Sequence, residues 1–403
     1  MNLFVINSGS SSIKYQLFHM PAEKVVCSGL VERIGLEDAV ITHKVYKDDQ
    51  QEVIPLTLPI PDHGIGLAEV VKLLTDDKIG VIQNPQEIQV VGHRVVHGGE
   101  SFAQTAIITE ATKAEIKKLF PLAPLHNPSN FLGIEVAEQI FPKATQIAVF
   151  DTAFHQTMPA KAFRYAIPEE FYTKLGIRAY GFHGTSHKYV ADRAIAYLSK
   201  KDTNLITIHL GNGCSMSAVK NGICVDTSMG LGPMNGLIMG TRSGDIDQSV
   251  IFYLVNQLGY DLKEVNTILN KKSGMLGLTG FSDMRDITKA IELGDMHAQL
   301  AYDMYAYRIK KYMGAYAAVL NGLDAIVFTA GVGENDKKIR ELICREMEYL
   351  GITIDVARNN SSDKDMREIN TAEARVKVLV IPTNEELEIA RQCFDLVSNP
   401  QPI

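Results

Sequence analysis

The stretch Asn7-Ser8-Gly9-Ser10-Ser11-Ser12-Ile13-Lys14 decides how the rest of the chain is read. It separates two short apolar runs, residues 3–6 and 15–18, both β-like in composition, so a Gly/Ser turn joins two strands. Small residues let the backbone come close to a ligand. Clustered N–H and hydroxyl donors, with Lys14 beside them, suit an anion. The loop lacks the G-x-x-x-x-G-K-[ST] spacing, and a strand follows it instead of a helix. It is therefore a phosphate-loop candidate on a hairpin, unlike a Walker loop. Taken alone, such a hairpin is as readily a plain turn.

The same design returns in the second half. An apolar run at 205–210 leads into Gly211-Asn212-Gly213-Cys214-Ser215, and a further apolar run follows. One supersecondary unit in each half predicts duplicated α/β domains. Other buried-type strands are expected at 88–91, 146–150, 324–328 and 376–381. The first of these runs into Gly92-His93-Arg94-Val95-Val96-His97-Gly98-Gly99, and Asp151 stands at the end of the second. Polar and glycine residues just past a strand's carboxyl end are where α/β sheets gather ligands. The run at 324–328 ends in Thr329-Ala330-Gly331-Val332-Gly333-Glu334-Asn335, a strand, glycine turn and helix that suits a nucleotide. Helical patterns are expected at 65–74, 112–120, 130–141, 187–200 (capped by Ser186), 247–258, 261–270, 295–320 and 385–397. Segment 32–62 reads as strands and turns on an exposed flank. A domain boundary is expected near residue 153.

At 403 residues, 46% of them hydrophobic, the chain can bury a large core. A net charge of −7 argues against a general nucleic-acid binder. Five cysteines lie scattered without a C-x-x-C, which suggests neither a disulfide framework nor a zinc knuckle. No run of 18 apolar residues and no basic leader are present, so a soluble, cytoplasmic protein without membrane or nucleic-acid partners is expected.

Most chemistry-bearing residues have a bland reading as well. His183 and His187 are four apart, but Gly184 replaces the Glu of H-E-x-x-H, which argues against zinc. His97 and His126 read as histidines satisfied by backbone hydrogen bonds. Arg94 and Arg242 are ion-pair partners or anion ligands; their setting among glycines favours the anion, which guanidinium grips bidentately. Tyrosines at 302, 305, 307, 312 and 316 read as packing or dimer contacts. Together, three glycine-rich turns after strands, two arginines, a loop histidine and carboxylates at element ends suit a phosphoryl-transfer enzyme.

In these blocks the chain resembles the acetate/propionate/butyrate kinase family of the acetate-and-sugar-kinase, Hsp70 and actin superfamily. The matching blocks are 7–14, 92–100, 121–127, 150–155, 180–187, 209–213, 226–230, 239–247, 331–335 and 382–386, in order along nearly the whole chain. The resemblance implies two ribonuclease-H-like (actin-like ATPase) α/β domains with a duplicated βββαβαβα core and a cleft between them. The first would span 1–153, with the C-terminal helix 386–403 packing back onto it, and the second 154–385. It also implies a homodimer and the reversible reaction of ATP with acetate to give ADP and acetyl phosphate, supported by Mg²⁺ or Mn²⁺.

By the same resemblance, Asn7 and Glu385 would hold the metal. Arg94, Asp151, His183 and Arg242 would be the catalytic set, with Arg94 also contacting acetate. Val96, Leu125, Phe182 and Pro233 would form the acetate methyl pocket. Ser10, Ser12, Lys14, His209, Leu210, Gly211, Asn212 and Gly213 would line the phosphate path. Asp283, Met284, Arg285, Gly331, Val332, Gly333, Glu334 and Asn335 would hold the nucleoside. Two departures stand out. Where the family reads T-P-x-E-G, this chain has Gly232-Pro233-Met234-Asn235-Gly236, which loses a charge. The segment Gly280-Phe281-Ser282-Asp283-Met284-Arg285 is one residue shorter than G-x-S-x-D-x-R.

The chemistry explains the residue types. A carboxylic acid with a pKa of about 4 is ionised at neutral pH, so the acceptor needs no general base. The obstacle is repulsion between two anions, about 1 kcal/mol at 4 Å in water and several-fold more in a drier site. Arginines, a histidine donor and a divalent cation answer that need. Asp151 then reads as an orienting carboxylate. The rival expectations are a propionate or butyrate kinase, a sugar kinase with Asp151 as base, and an actin- or Hsp70-like ATPase.

Overall fold

The computed structural model describes residues 1–47 and 50–399. The chain divides into two compact units, one combining Met1–Ala153 with the chain from Asn384 onward, the other Phe154–Thr383. Asn384 and Glu385 thus fall in the first unit.

The first unit holds strands β1 (Asn2–Ser8), β2 (Ser12–His19), β3 (Lys24–Glu32), β4 (Ala39–Lys47), β5 (Gln50–Leu58), β6 (Ile88–Val95), β7 (Ala106–Ile107) and β8 (Thr145–Phe150). Their order in the sheet is β5-β4-β3-β2-β1-β6-β8-β7. β1 to β5 form an antiparallel meander, and β6 and β8 run parallel to β1. Alternate side chains of β1 enter opposite layers, as the two-residue period of a strand requires. Phe4 and Ile6 join Ile13 and Tyr15 against Leu67, Val70 and Leu74 of helix His63–Leu74 and Ala137 of helix Asn127–Ile140. Leu3 and Val5 join Val90 and Val149 against Ile389, Ala390 and Cys393 of helix Glu385–Ser398. A strand covered on both faces reads as the near-continuous apolar run seen at 3–6.

The second unit holds β9 (Asn204–Leu210), β10 (Cys214–Lys220), β11 (Ile223–Thr227), β12 (Ala325–Thr329), β13 (Arg367–Glu368) and β14 (Lys377–Val380), ordered β11-β10-β9-β12-β14-β13. β9 to β11 are antiparallel neighbours, and β12 and β14 run parallel to β9. Stripped of its edges, each sheet has the same order: third, second, first, fourth, fifth. The α/β class and the duplicated strand design therefore hold.

Several local expectations change. The helix expected at 187–200 is Gly184–Leu198, and it begins after His183, whose φ is 57°. Ser186 lies inside it, and its hydroxyl meets His209 Nδ1 and Thr383 Oγ1, both at 2.8 Å, so it does not cap. The helix expected at 247–258 is shorter, Ser249–Asn256. In segment 32–62 the turn at 35–38 and β5 are exposed. β4 buries Ala39, Ile41, His43 and Val45. Pro55 in β5 fits its edge position, where a missing N–H costs no ladder bond. Residues 48 and 49 of that segment, and 400–403 of the expected terminal helix, lie outside the described residues. On helix Met296–Leu320, Tyr302, Tyr305 and Tyr316 are buried, so core packing claims most of the tyrosine series. Tyr312 is tied by its hydroxyl to Asp245 Oδ2 at 2.6 Å, while Tyr307 is exposed. The five cysteines are free and buried. No helix among the described residues is long and apolar enough to cross a membrane.

Candidate active site

In the first unit the carboxyl ends of β1, β6 and β8 bring the expected residues to one edge. Asn7 is the penultimate residue of β1 and faces Lys14 of β2 in register. Arg94 lies near the end of β6, and Asp151 directly follows β8. Asp151 is 1% exposed and accepts from Arg94 Nε at 3.0 Å and Nη2 at 2.5 Å through Oδ2. Burial pulls the guanidinium toward losing its proton, but Asp151 and Glu385 outweigh it and keep it charged. Lys14, expected on the phosphate path, pairs with Glu386 Oε1 at 2.6 Å. Glu385 opens the helix Glu385–Ser398. Burial first, then Asp151 and Glu386, raise its carboxyl above the ordinary range, against the pull of Arg94 and Lys14.

The Ser10–Ser12 turn is a tight loop closed by Gly9 N–H on the Ser12 carbonyl at 2.8 Å. His63 Nε2–H donates to the Gly9 carbonyl at 2.7 Å and braces it. Asn130 clamps two strand ends at once. Its Oδ1 accepts from Val96 N–H at 3.0 Å, and its Nδ2 donates to the Ser8 carbonyl at 2.7 Å. His97 N–H donates to Asn127 Oδ1, and its ring Nδ1 accepts from Gly99 N–H, each at 3.0 Å; the second is a backbone hydrogen bond of the kind expected of the ring. Val96 is buried, whereas Leu125 is 64% exposed. Neither His63 nor Asn130 was flagged by sequence reasoning. Each is an ordinary polar residue on a helix, and only tertiary contact reveals its function.

In the second unit β9 delivers His209 and Leu210 to the turn Gly211-Asn212-Gly213. A Cβ built on Gly213 would lie 3.4 Å from His183 Nε2 and 3.7 Å from Arg242 Nη1, so imidazole, guanidinium and turn converge. His183 stacks on His209 with ring centroids 4.2 Å apart. Arg242 Nη1 donates to the Pro233 carbonyl at 2.7 Å, and no carboxylate among the described residues pairs with this side chain. Burial lowers its pKa, the signature of a cation held without a counter-charge. Phe182 is buried, and Asn235, at the departure from the family pattern, is exposed.

A cavity of ≈ 920 Å³ in this unit is lined by Gly211, Asn212, Asp283, Met284, Arg285, Gly331, Val332 and Asn335, all expected nucleotide residues. Asp283 caps helix Met284–Glu292 and takes a two-pronged bond from Arg285, which lowers its carboxyl to about 2. The helix Ala330–Asn335 follows β12 without a break. Leu210, Gly213, Gly333 and Glu334 do not line the cavity. Leu210 is in the core, and the Gly333 and Glu334 carbonyls both accept from the buried Arg340 at 2.9 Å. Glu334 Oε1 accepts from Thr383 N–H at 3.1 Å. The two residues brace this helix from behind. Arg340 itself was missed: a basic residue on an amphipathic helix looks like a solvated one.

Comparison with known proteins is unequivocal on kinship. The sequence profile of the Acetokinase family matches residues 2–391. An acetate kinase of Flavobacterium johnsoniae is 58% identical over 399 residues, covering 99% of this chain and 100% of that one. The crystal structure of Porphyromonas gingivalis acetate kinase superposes with a TM-score of 0.92 at 44% identity, covering 98% of this chain and 99% of that one. A propionate kinase from Francisella tularensis superposes with a TM-score of 0.89 at 41% identity, covering 97% and 98%.

Proposed function

Because the chain belongs to the acetokinase family and is an acetate kinase, an ATP-dependent phosphotransferase, we propose that the residues described above perform a direct, in-line phosphoryl transfer. A carboxylate oxygen of acetate attacks Pγ of ATP, the bond from Pγ to the bridging oxygen breaks, and ADP leaves with that electron pair. No bond to the protein forms, and the same path runs in reverse.

The observation that carries this reading is Arg242: a half-buried cation with only neutral acceptors, held beside His183 at a glycine turn. That is a pre-formed anion site, since donors aimed at developing charge need no reorganisation. We assign Arg242 and His183 to the transferring phosphoryl. We assign Arg94 to the acetate carboxylate. Asp151 orients it through two bonds on one oxygen and is already committed as an acceptor, which disfavours a base role. We assign Val96 to contact with the acetate methyl. Ser10, Ser12 and Lys14 serve the phosphate path, and the cavity holds the nucleoside.

The residues fit a divalent cation at Asn7 and Glu385. Both offer hard oxygen donors, as Mg²⁺ or Mn²⁺ prefers. The Glu385 carboxyl, raised by burial and by Asp151 and Glu386, would be relieved by a cation. When bound, the ion would offset charge on the phosphate oxygens. A cytoplasmic homodimer belongs to the same reading. The exposed Val250, Phe252 and Tyr253 on helix Ser249–Asn256 are apolar area such an interface would cover.

The test is to incubate the protein with Mg-ATP, acetate and hydroxylamine. Acetate-dependent acetyl hydroxamate is expected. ATP hydrolysis that ignores acetate would overturn the transfer.

A further inference from the structure

Four imidazoles, those of His155, His183, His187 and His209, cluster in the second unit. His187 lies 5.7 Å from His155 and 6.1 Å from His209 between ring centroids, and His209 stacks on His183. Ser215 Oγ sits between His183 Nδ1 at 2.8 Å and His187 Nε2 at 2.7 Å. On the far side of the His187 ring, Nδ1 meets Thr207 Oγ1 at 2.7 Å. Thr207, His187 and Ser215 are all fully buried.

We propose that Thr207, His187 and Ser215 form a hydrogen-bonded wire that holds His183 in one tautomer, its proton on Nε2, the nitrogen turned to the Gly213 turn. The polarity follows from distances. The Thr207 hydroxyl hydrogen has two acceptors within reach, the Ser217 carbonyl at 3.5 Å and His187 Nδ1 at 2.7 Å. The first is at the outer limit of a hydrogen bond, so the hydrogen goes to His187. A neutral imidazole carries a single N–H, so the His187 proton is on Nε2 and is donated to Ser215 Oγ. The Ser215 hydrogen is then donated to His183 Nδ1, which leaves the His183 proton on Nε2. Burial, with His155 and His209 nearby, keeps His187 neutral, as the wire requires.

The wire presents a neutral N–H donor at a fixed position, without drawing a proton from solvent. A neutral ring also suits its surroundings, with Arg242 at the same turn and His209 stacked on its face. This rests on the reading of His183 as a donor to the transferring phosphoryl. Thr207, His187 and Ser215 are positioning residues; none is assigned a contact with substrate.

The test uses the full chain labelled with ¹⁵N-histidine, with His183 signals assigned by their loss in His183→Gln. Long-range ¹H–¹⁵N spectra at neutral pH should show His183 neutral with its proton on Nε2. Thr207→Val, which keeps shape and removes the hydroxyl, and Ser215→Ala should each shift His183 to a mixed or Nδ1-protonated pattern. Each should lower kcat by about tenfold, the size of one misplaced hydrogen bond, with KM for Mg-ATP nearly unchanged. Thr207→Ser should restore both. A wild-type His183 protonated on Nδ1 or on both nitrogens overturns the wire, as does an unchanged tautomer in Thr207→Val. If Ser215→Ala fails to fold, the wild-type and Thr207→Val spectra still decide. Normal turnover in His183→Ala, with the expected spectra intact, would remove His183 from the chemistry and leave the wire standing.

Discussion

Arg94 and Arg242 carry the same charge in opposite circumstances. Arg94 is held by a buried carboxylate, whereas Arg242 leans on a backbone carbonyl. Arg242→Ala should therefore remove an anion donor cleanly, with kcat down a hundredfold or more and the thermal midpoint nearly unchanged. Arg94→Ala should lower kcat by a similar factor and also destabilise the fold, because the buried Asp151 loses its ion pair with the guanidinium. Arg94→Ala/Asp151→Asn should regain part of the midpoint but not the turnover; equal turnover loss with no stability difference between the two arginine variants would refute the contrast. Val96 offers a finer prediction. In the role proposed for it beside the acetate methyl, this branched, buried side chain should favour acetate over propionate, since one extra methylene costs roughly 1–3 kcal/mol in a filled pocket. Val96→Ala should narrow that gap in kcat/KM; a wild-type preference for propionate would contradict it. The arginines were legible in the sequence because they stand among glycines. Asn130 and His63 were not, since their partners are backbone carbonyls and amides distant in the chain.

At the scale of elements, close approach sets the site. Helix Glu385–Ser398 packs so tightly on β6 that a Cβ on Gly92 would fall 2.8 Å from Cys393 Sγ and 3.0 Å from Ile389. That helix carries Glu385 at its first turn and Glu386 beside Lys14. Gly92→Ala should cost about 1–3 kcal/mol through overpacking, read as a lower denaturant midpoint. Where the helix yields to the new methyl, its first turn moves with it, and the Mg²⁺ concentration giving half-maximal activity should rise, since Glu385 is the proposed ligand there. Cys393→Ala in the same chain should recover part of the stability, since the two sites share one contact. A Gly92→Ala midpoint equal to wild type would show that the layer has slack. The strand–turn–strand pattern was readable from composition. Which glycines serve turns and which serve packing was not: Gly92 has no unusual backbone angle, and only the helix opposite it explains the residue.

For the whole molecule, pH stability follows from buried neutral histidines in the first unit. Burial lowers His43, His93 and His97 to about 4 each. His43 Nδ1 accepts from the Tyr15 hydroxyl at 2.7 Å, and His93 Nε2–H donates to Gln146 Oε1 at 2.8 Å. Unfolded histidine takes a proton near pH 6.5, so between about 4 and 6.5 the unfolded chain binds more protons than the folded one. Stability is therefore complete above that window and falls as pH drops through it, by on the order of 1–3 kcal/mol per ring. Urea midpoints measured from pH 7.5 to 4.5 should decline accordingly, and His93→Gln should flatten the slope; an unchanged slope in that variant would assign the acid limb elsewhere.

Residue order along the chain determined the α/β class, the repeated strand–turn–strand design and most of the chemistry-bearing side chains, because periodicity and turn chemistry are local properties. It placed the arginines, Asp151 and the glycine turns at 211–213 and 331–335 by pattern, whereas Asp283, Met284 and Arg285 came from the family resemblance alone. Tertiary structure alone decided that Lys14 is engaged by Glu386, that Gly333 and Glu334 face Arg340 instead of the cavity, and that the tyrosine series is mostly core. Those outcomes depend on which distant groups share a buried volume, where a polar atom must find a partner or bear the cost of lost hydration.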